Sequence, residues 1–225
     1  MSKSKRLRIH LGCGTVTPSG WINIDGSLNA RFGRMRRLRK LLGVIGIIPQ
    51  KIANIKWNKS IIIHDVRKRL PFRDNSVVAI YSSHLLEHLY LDDADRLLID
   101  CHRILIKGGI LRLMVPDLRK QVLSYLGETK EEEIPAADSM MNKMRLRTPT
   151  RRSGNIFYQI LLSLQDFHTH KWMYDEDSLR HHLLKAGFKN ILKKKRLSSR
   201  IDGISKVEKN YGLILEAEKQ ATPMI

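Results

Sequence analysis

A short segment of the chain contains three side chains that can transfer protons or bind a metal ion. His84, Glu87 and His88 lie within five positions, and imidazoles and carboxylates are the commonest general acids and bases. Their order also matches H-x-x-E-H, a zinc-peptidase arrangement with two histidines on one helix face. No third ligand is evident downstream, so we expect no metal. Helix capping and packing by Glu87 and His88 are the alternative to catalysis.

A second group of residues is suited to binding a nucleoside. The triplet Gly12-Cys13-Gly14 lets a ligand approach the backbone, because glycine accepts dihedral angles that other residues avoid. A carboxylate at Asp25 can accept both ribose hydroxyls, as in dinucleotide folds, and one at Asp65 can accept an adenine amino group. Turns and helix caps explain the same residue types. No third glycine follows at the dinucleotide spacing, so we predict an adenosine ligand without a diphosphate.

Short apolar segments precede these residues and predict the elements that position them. The predicted strands are residues 7–11, 21–24, 61–63, 77–81, 110–115, 188–192 and 211–216. Helical patterns alternate with them, which indicates an α/β fold with a mainly parallel sheet. Ligands of such sheets bind beyond the carboxyl ends of the strands. Asp117 follows the fifth predicted strand, and the residues named above follow the first four, so we predict one site at this edge.

Several strings of residues together resemble a known family. LGCG, GWINID, HD, LPF-DNSV, YSSHLLEHL, HRIL-KGGILRLMVPD and HKWMYD…L…AGF are similar to motifs of the class I S-adenosylmethionine-dependent methyltransferases. The similarity is greatest to the type 11 branch, often found among cell-surface polysaccharide enzymes, and covers residues 7–118 and, less closely, 168–218. It implies a Rossmann-like, doubly wound, seven-stranded sheet whose last strand is antiparallel. The usual first helix has no room here, so we expect an open cofactor pocket.

The resemblance also implies the cofactor, S-adenosylmethionine, its product, S-adenosylhomocysteine, and the residues that hold them. The implied cofactor-binding residues are Gly12, Cys13, Gly14, Asp25, Asp65, Val66, Ser83 and His84. Gly12 and Gly14 are expected beside the methionine part, and Asp25 at the ribose. Asp65 and Val66 are expected around the adenine.

Methyl transfer to a hydroxyl group requires a proton acceptor within hydrogen-bond reach of the nucleophile. We rank His84 first because it follows a strand end beside the expected cofactor, ahead of Glu87 and His88. The predicted substrate-binding residues are Asp117, His168, His170, Trp172 and Tyr174. The two aromatic rings can stack on a sugar or a base, and core packing explains them equally well.

The charge of the chain is strongly basic and unevenly placed. The net charge is +19, and residues 1–59 contain 13 basic residues and one acid. An anionic partner is therefore expected: a membrane surface, a phosphate-bearing substrate or nucleic acid.

Residues 30–48 form a basic amphipathic pattern, with apolar positions at Phe32, Met35, Leu38, Leu42 and Ile45. This pattern suits a lid over the active site or a membrane contact. Nucleic acid is less favoured because aromatic residues make up only 6%.

These observations predict a single methyltransferase domain over residues 1–225, with a basic insert or lid at 28–60 and an acceptor-side lid at 126–170. The expected activity is O-methylation of a saccharide or another small cytoplasmic or membrane-associated acceptor, carried on a lipid or a nucleotide, in polysaccharide biosynthesis. RNA methylation and a non-catalytic adenosyl-binding module are the alternatives. Two cysteines and the lack of a long apolar run predict a cytoplasmic protein. Peripheral contact with the inner face of the membrane is a further alternative.

Overall fold

The central element is one six-stranded sheet. The computed structural model describes residues 7–48, 50–127, 135–145 and 169–220. The strands are β1 (Leu7–Leu11), β2 (Ile22–Ile24), β3 (Val77–Ser83), β4 (Leu105–Val115), β5 (Lys189–Lys193) and β6 (Leu213–Glu218), in the order β2-β1-β3-β4-β6-β5. The first four are parallel, and β6 runs antiparallel between β4 and β5. The predicted mainly parallel sheet with an antiparallel last strand is confirmed.

The predicted third strand, residues 61–63, is not a full strand, so the expected count of seven was wrong by one. Ile62 forms an isolated parallel bridge to Ile24. Two backbone hydrogen bonds join the segments, from Ile62 N to Asn23 O at 2.8 Å and from Asp25 N to Ile62 O at 3.1 Å. The chain leaves the sheet directly after this bridge, at the outer edge of β2, and places Asp65 beside the strand ends.

In the described part of the chain, seven helices surround or connect the strands, and two of them, α4 (Leu91–Ile104) and α7 (Glu176–Lys185), pack against the sheet. The helices are α1 (Leu28–Gly33), α2 (Arg36–Val44), α3 (Gln50–Ala53), α4 (Leu91–Ile104), α5 (Leu118–Tyr125), α6 (Ala136–Met144) and α7 (Glu176–Lys185), with short 3-10 helices at Leu86–His88 and Ile204–Lys206. Apolar residues at helical spacing in α4, such as Leu97 and Cys101, join Leu179 and Leu183 of α7 in the main core. On the opposite face, Ile201, which precedes the second 3-10 helix, packs in a smaller cluster with Trp21 and Tyr81.

The connection between β1 and β2 contains turns and no helix. This agrees with the short spacing in the sequence, since a helical crossover needs about a dozen residues or more. None of the helices in the described ranges is long and apolar enough to span a membrane.

The basic insert folds as separate short helices. The pattern predicted one amphipathic surface over residues 30–48, but α1 ends at Gly33 and α2 begins at Arg36. Arg39, expected on the polar side, is 4% exposed, and its guanidinium donates to Ile55 O at 3.0 Å. Apolar side chains near the end of α2 face solvent instead: Leu41 and Ile45 are each 56% exposed and Val44 is 77% exposed.

A fully buried arginine joins β4, β6 and the segment between β5 and β6. The Arg112 guanidinium donates to both carboxylate oxygens of Glu208, at 2.8 and 3.0 Å, and to Glu216 Oε1 at 2.9 Å. It also donates to Ser198 O at 2.9 Å and Lys195 O at 3.1 Å. All its neighbours are acceptors, so this charge is fully paired although it is buried.

Candidate active site

The carboxyl ends of β1, β2 and β3 surround a cavity of about 210 Å³. Its lining combines polar groups with apolar walls from Val66, Leu85 and Leu28. The other lining residues are Gly12, Asp25, Gly26, Ser27, Asn29, Asp65, His84 and His88. Carboxylates beside a sheet edge and an apolar slot suit a ribose and an adenine respectively. The residues present therefore fit an adenosyl ligand.

Two glycines are required by close approaches around this cavity. Gly12 has a φ of +65°, and a Cβ atom there would lie 3.2 Å from Cβ of Leu85. A Cβ atom at Gly26 would lie only 2.3 Å from His64 O. A side chain at Gly12 would therefore press against Leu85, and one at Gly26 would collide with the backbone of His64.

The carboxylate of Asp25 connects the two loops that face the cavity. Asp25 Oδ2 accepts from Gly14 N at 2.8 Å, and Oδ1 accepts from Ser27 N at 2.9 Å. Each oxygen retains a second lone pair, so Asp25 can still accept hydrogen bonds from ribose hydroxyls.

The carboxylate of Asp65 is held by an arginine. Arg67 Nε and a terminal guanidinium nitrogen donate to the two oxygens, at 2.9 and 2.7 Å, and Arg67 N donates to Oδ1 at 3.0 Å. The hydrogen bond from Arg67 lowers the pKa of Asp65 below its usual value. Asp65 therefore remains an anionic acceptor at the cavity beside Val66, although an adenine amino group would share it with Arg67.

Three of the expected cofactor residues do not line this cavity. Cys13 is buried, and burial raises the pKa of its thiol to about 12, so it is a packing residue and not a nucleophile. Gly14 contributes through the N–H that it donates to Asp25. Ser83 is the last residue of β3, and its hydroxyl accepts a hydrogen bond from Asn210 Nδ2 at 3.3 Å.

His84 has an unusual backbone and two ring contacts. Its φ is +50°, a left-handed conformation that is uncommon for a residue with a side chain and occurs at functional sites. Nδ1 lies 3.1 Å from Glu87 Oε1, and Nε2 lies 3.2 Å from Tyr211 O. The hydrogen bond to Glu87 raises the pKa of His84 above its usual value.

Glu87, His88 and His170 form a cluster at the floor of a second, larger cavity. One potential ligand atom from each residue lies within 4.8 Å of the others. His88 Nδ1 donates to Thr169 O at 3.2 Å, and the rings of His88 and His170 make an edge contact with centroids 5.0 Å apart. Burial lowers the pKa of His170. His170 follows His88 by 82 positions, so no local spacing in the sequence indicates this contact.

The larger cavity has a volume of about 1090 Å³ and a basic wall. Its basic lining residues other than histidine are Lys120, Lys143, Arg145, Lys194, Lys195, Arg196 and Lys209. Sequence reasoning did not single out these residues, although the basic run at 193–196 was a visible signal. His84 and His88 line both this cavity and the smaller one. They therefore lie where the two cavities meet.

The expected substrate-binding residues have different positions. Asp117 and His170 line the larger cavity. Trp172 is 43% exposed and lines neither cavity, and Tyr174 is 1% exposed within the main core. Because Tyr174 is enclosed, it cannot stack on a sugar in this conformation, and core packing accounts for it. His168 lies outside the described residues.

Comparisons with known proteins agree with this fold. Residues 35–113 match the family model of a methyltransferase domain, the type 11 methyltransferases. The matched segment includes His84, Glu87 and His88 but begins after Gly12 and Asp25. No curated protein sequence matches the chain.

One solved structure of low sequence identity shows the fold. A Methanosarcina mazei S-adenosylmethionine-dependent methyltransferase has a TM-score of 0.50 and 15% identity, over 98% of this chain and 95% of that one. A Thermotoga maritima S-adenosylmethionine-dependent methyltransferase, described as a possible histamine N-methyltransferase, has a TM-score of 0.49 and 18% identity, over 95% and 82%. PigF with S-adenosylhomocysteine has a TM-score of 0.46 and 15% identity, over 97% and 52%.

The match over residues 35–113 to a methyltransferase domain agrees with the resemblance predicted from the sequence. S-adenosylmethionine is the methyl donor that this match implies, and the residues that line the smaller cavity fit its adenosyl part.

Proposed function

We propose that the protein methylates a hydroxyl group of a saccharide that carries phosphate, linked to a nucleotide or a lipid. The position of His84 and His88, at the junction of the cofactor cavity and the larger cavity, carries this proposal. A hydroxyl in the larger cavity would approach the methyl donor beside these histidines. Alignment of the two reacting groups is the main task of the protein, because S-adenosylmethionine, when bound, supplies an already activated methyl group.

The basic wall supports an anionic acceptor. Lys194, Lys195 and Arg196 form no ion pair with a carboxylate in the described part of the chain, whereas the adjacent Lys193 pairs with Glu176 at 2.9 Å. Lysine and arginine groups that converge on a cavity favour phosphate. A neutral sugar would leave these charges uncompensated, so we propose a phosphorylated or diphosphate-linked acceptor.

His84 is the proposed proton acceptor of the reaction. Glu87 Oε1 faces Nδ1, which fixes the tautomer in which Nε2 receives a proton, as a carboxylate does for other catalytic histidines. In the structure Nε2 donates to the carbonyl of Tyr211, a residue of the cavity wall, so Nε2 must release this proton and this contact before it can act as a base. An acceptor hydroxyl in place of this carbonyl would transfer its proton to Nε2 as its oxygen takes the methyl group, and S-adenosylhomocysteine would leave.

A lipid-linked acceptor is favoured by the exposed end of α2. Leu41, Val44 and Ile45 face solvent beside the exposed cations Arg37 and Lys40. Apolar side chains bordered by cations suit the interface of an anionic membrane. We therefore propose peripheral membrane contact through α2.

The proposal is tested by methyl transfer from labelled S-adenosylmethionine to separate pools of nucleotide sugars, lipid-linked saccharides and RNA. Label in either saccharide pool is expected, and substitution of Lys194 and Lys195 by Glu should lower it at least tenfold. Lys189→Glu is the matched control, because Lys189 is exposed and outside the cavity. Label confined to RNA would contradict the proposal. Tight S-adenosylhomocysteine binding without transfer to any pool would indicate a non-catalytic module.

A further inference from the structure

Glu87, His88 and His170 have the composition of a metal site. We propose that these three side chains bind one divalent transition-metal ion at the floor of the acceptor cavity. One nitrogen or oxygen from each lies within 4.8 Å of the other two, so a small local movement would bring all three to an ion. This proposal replaces the expectation of no metal, which depended on the lack of a third ligand.

Two buried atoms of the cluster have no hydrogen-bond partner among the residues that the structure describes. Glu87 is 0% exposed and its Oε2 is unpaired, and His170 is 7% exposed and its Nδ1 is unpaired. An unsatisfied polar atom in the interior is costly, and an unsatisfied carboxylate oxygen especially so. A cation between Oε2 and the imidazoles would satisfy the carboxylate oxygen and use a ring lone pair.

The surroundings hold the proposed ligands in the manner expected around a metal. His88 Nδ1 donates to Thr169 O, and Glu87 Oε1 faces His84 Nδ1. Such contacts from the opposite side of a ligand group fix its orientation and its tautomer. The backbone of the third ligand is also fixed, because His170 N donates to Arg145 O at 3.1 Å and Lys171 N donates to Glu87 O at 2.7 Å.

This arrangement differs from the zinc-peptidase interpretation of H-x-x-E-H. In that motif the two histidines are the ligands and the glutamate is the general base. Here His84 is not part of the group of three, and its Nδ1 lies 3.1 Å from Glu87 Oε1. The ligand set is therefore one carboxylate and two imidazoles, with the second imidazole supplied by the chain segment after residue 168.

The donor set indicates the kind of ion. Two imidazoles and a carboxylate favour Zn²⁺, Fe²⁺, Co²⁺ or Mn²⁺ over the oxygen-preferring Ca²⁺ and Mg²⁺. All three residues line the larger cavity, so remaining coordination positions would open toward the acceptor. A hydroxyl bound there would lose its proton more readily. This last consequence depends on the proposed function, whereas metal binding itself does not.

The test is metal binding by the full chain without an affinity tag. After chelator treatment, Zn²⁺ is titrated by calorimetry and Co²⁺ by visible absorption, which reports nitrogen and oxygen ligation directly. One equivalent of each ion is expected. His170→Ala should weaken binding at least tenfold, and the exposed His181→Ala should leave it unchanged. Far-ultraviolet circular dichroism, measured in parallel, reports the folding of each variant independently of cofactor binding.

Two results would overturn the proposal. One is a wild-type chain that binds S-adenosylhomocysteine but takes up no stoichiometric Zn²⁺ or Co²⁺. The other is equal metal affinity in folded His170→Ala and His181→Ala. If His170→Ala does not fold, Glu87→Gln and His88→Asn replace it in the comparison with His181→Ala. The wild-type titration is informative in either case, because it needs no variant. Because the readout is metal uptake, failure to find a methyl acceptor would leave the result interpretable.

Discussion

The carboxylate of Asp25 accepts a hydrogen bond from the backbone N–H of Gly14 at 2.8 Å, across eleven positions of sequence. The contact connects the glycine turn after β1 to the end of β2, in the place where a helix would otherwise follow the turn. Asp25 therefore holds the loop that contains Gly14, and in the predicted cofactor site the same carboxylate would also contact the ribose. Such a residue should be more sensitive to substitution than a carboxylate that only contacts the ligand.

Replacement of Asp25 by Ala should raise the Kd for S-adenosylhomocysteine at least tenfold, equivalent to about 1.4 kcal/mol. The two N–H groups at Gly14 and Ser27 lose their charged acceptor, and the ribose loses its partner. Calorimetry measures the effect. Asp202→Ala is the control, since its side chain is 93% exposed. Unchanged affinity in the Asp25 variant would remove this residue from the cofactor site.

Replacement of His84 by Asn should lower kcat at least tenfold and change the Kd for S-adenosylhomocysteine only severalfold. Asparagine tolerates the left-handed backbone of this position better than alanine, so the loss would report the missing imidazole. Steady-state kinetics with the identified acceptor and calorimetry with the product measure the two quantities. A variant with wild-type kcat would exclude His84 as the proton acceptor.

Replacement of Arg112 by Met should reduce the free energy of unfolding by about 3–5 kcal/mol. The change leaves the buried carboxylates of Glu208 and Glu216 without their cation. Urea denaturation measures the loss. Adding Glu208→Gln and Glu216→Gln should restore part of the stability, because the remaining carboxylate charges are removed. A loss below about 1 kcal/mol in the single variant would contradict the assigned role of this arginine.

Stability should fall in acid through His10. Burial lowers the pKa of His10 from 6.5 to about 4, so the unfolded chain binds more protons between these values. The contribution of neutral His10 to the free energy of unfolding is therefore fully present above pH 6.5. It is lost as the pH falls toward 4, by up to about 3 kcal/mol. Urea denaturation at several pH values measures this slope. His10→Gln should reduce the dependence of the free energy of unfolding on pH, and His181→Ala should not. Equal pH dependence in wild type and His10→Gln would contradict the role of His10.

Membrane contact through α2 should depend on both its apolar and its basic residues. Co-sedimentation with anionic vesicles is expected at low salt and should fall steeply as salt is raised. Leu41→Asp combined with Val44→Asp should abolish it, since these side chains are exposed and would enter the interface. Ile99→Asp is a matched control, an exposed apolar residue on α4. No sedimentation of the wild-type chain at low salt would exclude the contact.

The residues that line the smaller cavity could be predicted from the sequence, because their positions depend on local patterns. Gly12, Asp25 and Asp65 follow segments of the sheet, and strand direction alone brings their ends to one edge, where they line the smaller cavity. The contact of His170 with Glu87 and His88 depends on how a distant segment crosses the strand ends, and no local pattern encodes that path. For the same reason Tyr174 could not be assigned to the core or the site from its type alone.

The fold of the basic insert could be predicted from the sequence only in part. Periodicity located apolar positions in the insert correctly as helical, but it treated residues 30–48 as one surface. The helical pattern is interrupted at Arg34 and Met35, between α1 and α2. Arg39 is buried and Val44 faces solvent, the reverse of what the amphipathic pattern predicts.

The contacts of Arg112 with the carbonyls of Lys195 and Ser198 have a consequence for recognition. They attach the segment that carries part of the basic wall of the larger cavity to β4, so the fold itself holds this backbone in place. The conformational entropy of this segment is therefore lost on folding and not on binding. If the proposed phosphorylated acceptor binds in this cavity, we expect the preorganised wall to discriminate among such acceptors by shape as well as by charge.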